Sequence, residues 1–183
     1  AIAQSVVAAS TTAAVAVGAV PIPFPDAVIL TPLEVTLVNG LARIYNIQKG
    51  EESKILLQSI IDVGTVGVVA KQAIIAIKAI PGINIAGSVL NAAIAGSIVA
   101  AIGEGSIYVF EQIYLGKKSV SDIEWVKEFM EASINSEFLN KVNDLVKGLS
   151  QSSNLESVAK LVGEVFFSRS EEHTSELQSR HNL

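Results

Sequence analysis

Residues 79–103 read AIPGINIAGSVLNAAIAGSIVAAIG, twenty-five consecutive positions without a charge. The reading of this stretch decides the fold. Pro81-Gly82 breaks it near its start, because proline cannot continue a helix interior. The apolar run from about Ile85 to Leu115 is then too long for a strand and predicts one long helix. Inside it Ala92, Gly96 and Ala100 repeat at intervals of four, with Gly87 and Asn91 just upstream. Small residues at that spacing let helix backbones approach closely in a membrane. They suit tight packing in a soluble bundle equally well. The strongly apolar side chains of residues 86–102 are Val89, Leu90, Ile94, Ile98, Val99 and Ile102. At roughly −0.3 to −0.6 kcal/mol each they supply about −2 to −4 kcal/mol towards insertion. Ser88, Asn91, Ser97 and two glycines offset most of that, so spanning is marginal although the length suffices. Pro81, Gly82, Gly87, Asn91, Ala92, Gly96 and Ala100 are therefore the expected packing residues of a hairpin, either in a membrane or inside a soluble bundle.

The flanks read as helices too. Residues 1–20 carry no charge, and Pro21, Pro23 and Pro25 end that run. Thr31-Pro32-Leu33-Glu34 predicts a helix start, with Thr31 as N-cap, Pro32 at the first position and Glu34 completing a capping box. Asp26 is the alternative cap, about one turn earlier. Leu33, Leu37, Leu41 and Ile44 follow at helical spacing. The next helix is expected over Glu51–Lys78, with Ile55, Leu56, Ile60, Val63 and Val66 as its apolar stripe. From Ser121-Asp122-Ile123-Glu124 onward the helices turn amphipathic. Ile123, Val126, Met130 and Ile134 form one buried side, and Phe138, Val142 and Leu145 extend it. Gly148 to Asn154 reads as a loop. Leu155, Val158, Val162, Val165 and Phe166 mark a last helix. No period-two alternation with turn signals occurs; short β-branched runs such as Val63–Val69 come nearest to a strand. The fold class is all-α: helical hairpins with an apolar Ala/Gly-rich core, then amphipathic helices. An internal repeat is also visible, in which a proline break and a helix ending in Ile-Tyr occur twice, at Ile44-Tyr45 and Ile113-Tyr114.

Composition narrows the function. The chain has 183 residues, 50% of them hydrophobic and 17% charged, with a net charge of −5. Mean hydropathy is +0.47. That excludes a disordered chain, and the acidic balance argues against nucleic acid as a partner. Cysteine is absent, and both histidines, His173 and His181, lie in the last fifteen residues. Residues 169–183 are polar and aperiodic, and the run from Arg169 to Ser179 matches one reading frame of a sequencing-library adapter; the segment is read as an artefactual tail. Without it the charge is −4, and neither His nor Cys remains. Serine–histidine and cysteine–histidine catalysis then have no residues to run on, and the usual zinc sites are lost. No metal or cofactor is expected. The chain opens on Ala1 inside an apolar run without a basic n-region, and is read as a fragment.

Several strings imitate nucleotide motifs. Gly116-Lys117-Lys118-Ser119 resembles the end of a phosphate loop, but Glu111 stands where the loop needs glycine and Lys118 where it needs Ser or Thr. Gly103-Glu104-Gly105 is followed by Tyr108 where a dinucleotide fingerprint needs its third glycine. Asn140-Lys141-Val142-Asn143 lacks the aspartate of a guanine-specificity motif. Glu104 and Glu111 lie seven apart on one helix face. A solvated face or a salt bridge, to Lys117 or Lys118 for example, is expected there rather than acid–base work. Trp125, Phe129 and Phe138 fall at helical spacing and are expected in the core, with partner anchoring as the alternative.

Three stretches carry a family resemblance: Pro21-Ile22-Pro23-Phe24-Pro25-Asp26 with the helix end Ala42-Arg43-Ile44-Tyr45; Ala79-Ile80-Pro81-Gly82-Ile83-Asn84 with Asn91-Ala92-Ala93-Ile94-Ala95-Gly96; and Glu111-Gln112-Ile113-Tyr114-Leu115-Gly116. Together they resemble the domain of unknown function 697 family over about residues 5–118. The resemblance implies an Ala/Gly-rich helical domain, often C-terminal to a GTPase domain and associated with membranes. It brings no catalytic residues. This chain contains no GTPase core motif, so a G domain is expected upstream of the fragment. The expected organisation is an apolar helical domain over 1–118, an amphipathic extension over 119–168 and the tail over 169–183. The expected function is that of a non-enzymatic, cytoplasmic, membrane-associated module of a GTPase-like protein, with membrane lipids and the G domain as partners. The alternative is a stand-alone membrane-active or pore-forming helical protein.

Overall fold

A computed structural model describes residues 2–19, 27–47, 49–63, 72–73, 75–77, 79–81, 85, 87–134, 136–150 and 153–167. Among them the fold is all-α, without a strand. Its helices are α1 (Ile2–Gly18), α2 (Ala27–Ile44), α3 (Glu51–Val63), α4 (Gly87–Tyr114), α5 (Ile123–Ile134), α6 (Ser136–Lys147) and α7 (residues 155–167). Residues 72–73 and 75–77 are also helical.

The long uncharged run forms α4, which is the axis of the bundle. α1, α2, α3, α5 and α6 all pack against it. α1 runs antiparallel to α4: Gly18 lies against Asn91, Ala92 and Ala95, Val15 against Gly96, and Val7 against Gly103. α2 runs back along α1, with Val6 near Gly40, and its end meets the end of α4 where Tyr45 contacts Phe110 at 6.3 Å between ring centroids. The buried stripes of α5, α6 and α7 join the same hydrophobic core, through Val126, Met130, Phe138, Val142, Val158 and Phe166.

Local chemistry sets the ends. α2 and α4 close with the same cap. After α2, Asn46 takes φ 55°, its N–H bonds the Arg43 carbonyl, and Ile47 N–H bonds the Ala42 carbonyl. After α4, Gly116 takes φ 71°, its N–H bonds the Ile113 carbonyl, and Lys117 N–H bonds the Gln112 carbonyl. Both are Schellman caps, which need a left-handed residue that Gly and Asn tolerate. Asn154 caps α7, its side-chain oxygen accepting from Ser157 N–H at 2.8 Å.

Three expectations are corrected. Thr31 is not an N-cap, because α2 already begins at Ala27 and Pro32 sits inside it. Proline there removes a single backbone bond near the helix start, which the following turns outweigh. Asp26, the alternative cap, lies outside the described residues. Ile55 and Ile44, assigned to apolar stripes, are exposed, whereas Ser53, Ser59 and Ile61 are buried on α3. Leu155 is exposed as well, although Val158, Val162 and Phe166 are buried as expected. The proline cluster 21–25, Val66, Lys71, Lys78, Gly82 and the tail 169–183 lie outside the described residues, as does most of the run Val63–Val69.

Candidate functional site

The expected hairpin residues divide. Ala92, Gly96 and Ala100 are fully buried on α4. Asn91 is half-buried, and its carbonyl faces Gly18. Pro81 and Gly87 are exposed, and open space surrounds Gly87. Close backbone approach therefore falls to Gly96 of the expected set and to glycines outside it. A Cβ on Gly18 would stand 2.8 Å from the Asn91 carbonyl oxygen and 3.0 Å from the Ala92 Cα. On Gly96 it would meet Val15 Cγ2 at 2.6 Å, and on Gly103 Val7 Cγ1 at 2.6 Å. On Gly105 it would meet Met130 Sδ at 2.8 Å. Gly18 was not singled out from the sequence, and Gly103 and Gly105 drew notice only as a nucleotide-motif look-alike, not as packing residues. The available signal was Val7, Thr11, Val15 and Gly18, which recur at three and four along α1 to match α4. Gly96 also faces Val162 of α7 at 3.5 Å, so the small-residue stripe is covered on two sides.

Polar groups inside the bundle are few. Ser97 and Ser106 bond back to the carbonyls of Ala93 and Ile102, which satisfies them within α4. Glu104 accepts from Gln4 Nε2 at 3.4 Å through one oxygen, while the other is buried without a partner among the described residues. Burial chiefly pushes its pKa up to about 7; the Gln4 bond and Lys141 pull it down, and Glu111 pushes it further up. Glu111 accepts from the Tyr45 hydroxyl at 3.2 Å. Burial first, and the Glu111 carboxylate second, raise the Tyr45 phenol above its ordinary value. Neither glutamate pairs with Lys117 or Lys118; the Lys118 ammonium instead lies 4.9 Å from the Trp125 ring centroid. Glu34 on α2 is 1% exposed, one of its oxygens has no partner among the described residues, and burial pushes its pKa up to about 8. Burial thus keeps Glu34 largely protonated near neutral pH, while Glu104 is divided between its protonated and charged forms.

The nucleotide look-alikes have helical geometry. Gly116-Lys117-Lys118 forms the C-terminal cap of α4, which presents carbonyls, whereas a phosphate needs the N–H groups of a helix start. Gly103-Glu104-Gly105 lies in mid-α4 and Asn140–Asn143 in α6. Phe138 is buried. Trp125 and Phe129 are half-buried and stack at 5.9 Å, and Phe129 stacks on the exposed ring of Tyr108 at 4.7 Å. Among the described residues the arrangement is an apolar interior with a surface aromatic cluster.

A family model described as Domain of unknown function (DUF697) matches residues 1–131. The match takes in α1 to α4 and most of α5. No curated protein and no solved structure matches the chain.

Proposed function

The chain belongs to the DUF697 family, and from that premise we propose that it is a non-catalytic helical module that holds a GTPase-like protein on a membrane from the cytoplasmic side. One observation carries the reading. α4 is long and apolar enough to cross a membrane, yet 89% of its most apolar stretch is buried inside the bundle. Exposing it to lipid would undo the contacts of Gly18, Gly96 and Gly103 with α1 and α4 neighbours. The bundle therefore docks by its outside, as a folded unit, and its apolar axis gives it rigidity. The absence of His and Cys from residues 1–168 supports a role without nucleophilic catalysis. Membrane lipids and an upstream G domain are the partners of this reading, with the nucleotide state of the G domain setting how strongly the module holds.

Recovery of the coding sequence upstream of Ala1, followed by vesicle flotation, tests it. The expected upstream frame carries a glycine-rich phosphate loop ending in Gly-Lys-Ser/Thr, and the joined protein floats with vesicles to an extent that differs between GTP and GDP. An initiator Met directly before Ala1 removes the GTPase part. The length of α4 then favours the stand-alone membrane-active reading, whose signature is leakage of vesicle contents by the chain alone.

A further inference from the structure

We propose that Lys141 of α6 is a pH-operated clasp on α4. It changes partners when Glu104 loses its proton, leaving Glu137 of its own helix for the Glu104 carboxylate.

Glu104 is fixed in place by its neighbours in sequence. A Cβ on Gly103 would meet Val7 of α1 at 2.6 Å, and one on Gly105 would meet Met130 of α5 at 2.8 Å. A backbone packed that closely on two sides does not turn its carboxyl out to water. Any partner has to come to it. Gln4 of α1 supplies one N–H at 3.4 Å from Oε2, and Oε1 is buried with no partner among the described residues. A neutral carboxyl tolerates that arrangement. A carboxylate, whose two oxygens only accept, calls for a further donor.

Lys141 has the donors and the charge. α6 packs against α4, and the Lys141 charge acts on Glu104 in the direction that favours the carboxylate. The Lys141 side chain is 26% exposed, and its present contacts are loose. The ammonium lies 5.1 Å from the Phe166 ring centroid and 3.7 Å from Glu137 Oε1, longer than a hydrogen bond. Glu137 is exposed, where an ion pair adds little. Leaving it therefore costs little.

The other groups around Glu104 set the balance. Glu111 of the same helix opposes the carboxylate and is itself bonded to the Tyr45 hydroxyl of α2, whose phenol also feels Glu104. α1 carries no ionisable side chain. Arg43 of α2 is exposed, as are the acidic and basic side chains of α3, α5 and α7 and the remaining ones of α6. Glu34 of α2 lies about three turns before Tyr45. Burial still holds the Glu104 pKa at about 7, above the ordinary 4.5, so charging it destabilises the fold as the pH rises. The clasp offsets part of that loss by drawing α6 onto α4, about two turns from the contact of Val162 with Gly96.

NMR of the full chain between pH 5.5 and 9 tests this. The Glu104 carboxyl is expected to titrate near pH 7, with the Lys141 side-chain signals moving at the same midpoint. Lys141→Met is expected to raise the Glu104 midpoint by about one unit. Double-variant cycles by urea unfolding read the exchange of partners. Coupling between Glu137→Gln and Lys141→Met is expected at pH 5.5 and fades at pH 9. Coupling between Glu104→Gln and Lys141→Met is expected only at pH 9. A lysine that merely packs gives couplings that do not change with pH, and that result overturns the proposal. Lys141 signals that stay flat across the Glu104 midpoint in the parent chain overturn it without any variant, as does a Glu104 that does not titrate in this range.

Discussion

Gly18 and Gly87 are the same residue in opposite situations, and the difference fixes what each tolerates. A methyl group on Gly18 runs into a carbonyl oxygen and a Cα of α4, neither of which can swing aside. Gly18→Ala is expected to cost about 1–3 kcal/mol, read as a lower urea midpoint. Gly87→Ala meets open space and is expected to be neutral or to gain up to about 1 kcal/mol from helix propensity. Equal effects at the two positions would disprove the α1–α4 contact. Glu34 makes the other residue-scale case. Burial raises its pKa from the ordinary 4.5 to about 8, so the folded chain keeps a proton that the unfolded chain releases. Stability is therefore highest below about pH 4.5, falls as the pH rises, and levels off beyond about pH 8. Glu104, at about 7, adds a decline of the same sign that ends sooner. Glu34→Gln removes the larger part. It is expected to match the parent at pH 4 and to exceed it by several kcal/mol near pH 9. Urea unfolding across that pH range checks the slope.

At the scale of elements, the repeat of Ile-Tyr helix ends proves to be a shared way of stopping rather than a strict alignment. Ile44-Tyr45 lies two residues before the left-handed Asn46 by its first member, while Ile113-Tyr114 lies three before Gly116. What the helices have in common is the cap. The left-handed residue costs an L side chain roughly 1–2 kcal/mol, less for asparagine, which bonds locally. At position 46 stability is expected to rank glycine at or above asparagine, and both above alanine. Gly116→Ala is expected to lose about 1 kcal/mol. Thermal unfolding of the variants Asn46→Gly, Asn46→Ala and Gly116→Ala measures the order.

Across the whole molecule, what the sequence made legible follows its periodicity. The axis α4 could be read from the length of its uncharged apolar run, and the buried faces of α5, α6 and α7 because one residue in three or four is large and apolar against charged neighbours. α1 could not be resolved in this way: apolar on every side, it gives no face, and its contact with α4 depends on which small residues meet. Glu34 was read as part of a cap because sequence carries no depth, and only the packed bundle takes water away from it. The boundary of the module is the remaining question at this scale, and it has a measurable answer. The family match ends at residue 131, yet Val162 of α7 reaches Gly96, and Phe138, Val142, Leu145 and Phe166 complete the core beside α4. Burying each large side chain contributes about 1.5–3 kcal/mol, so together they rival the 5–15 kcal/mol that typically separates folded from unfolded chains. A chain truncated after Glu131 is therefore expected to bind hydrophobic dyes, to lose its cooperative unfolding transition and to partition into vesicles through the uncovered α4. Truncation that instead leaves unfolding cooperative and the protein monomeric would make α6 and α7 an appendage on a self-sufficient module, and would leave the covering of α4 to α1, α2, α3 and α5 alone.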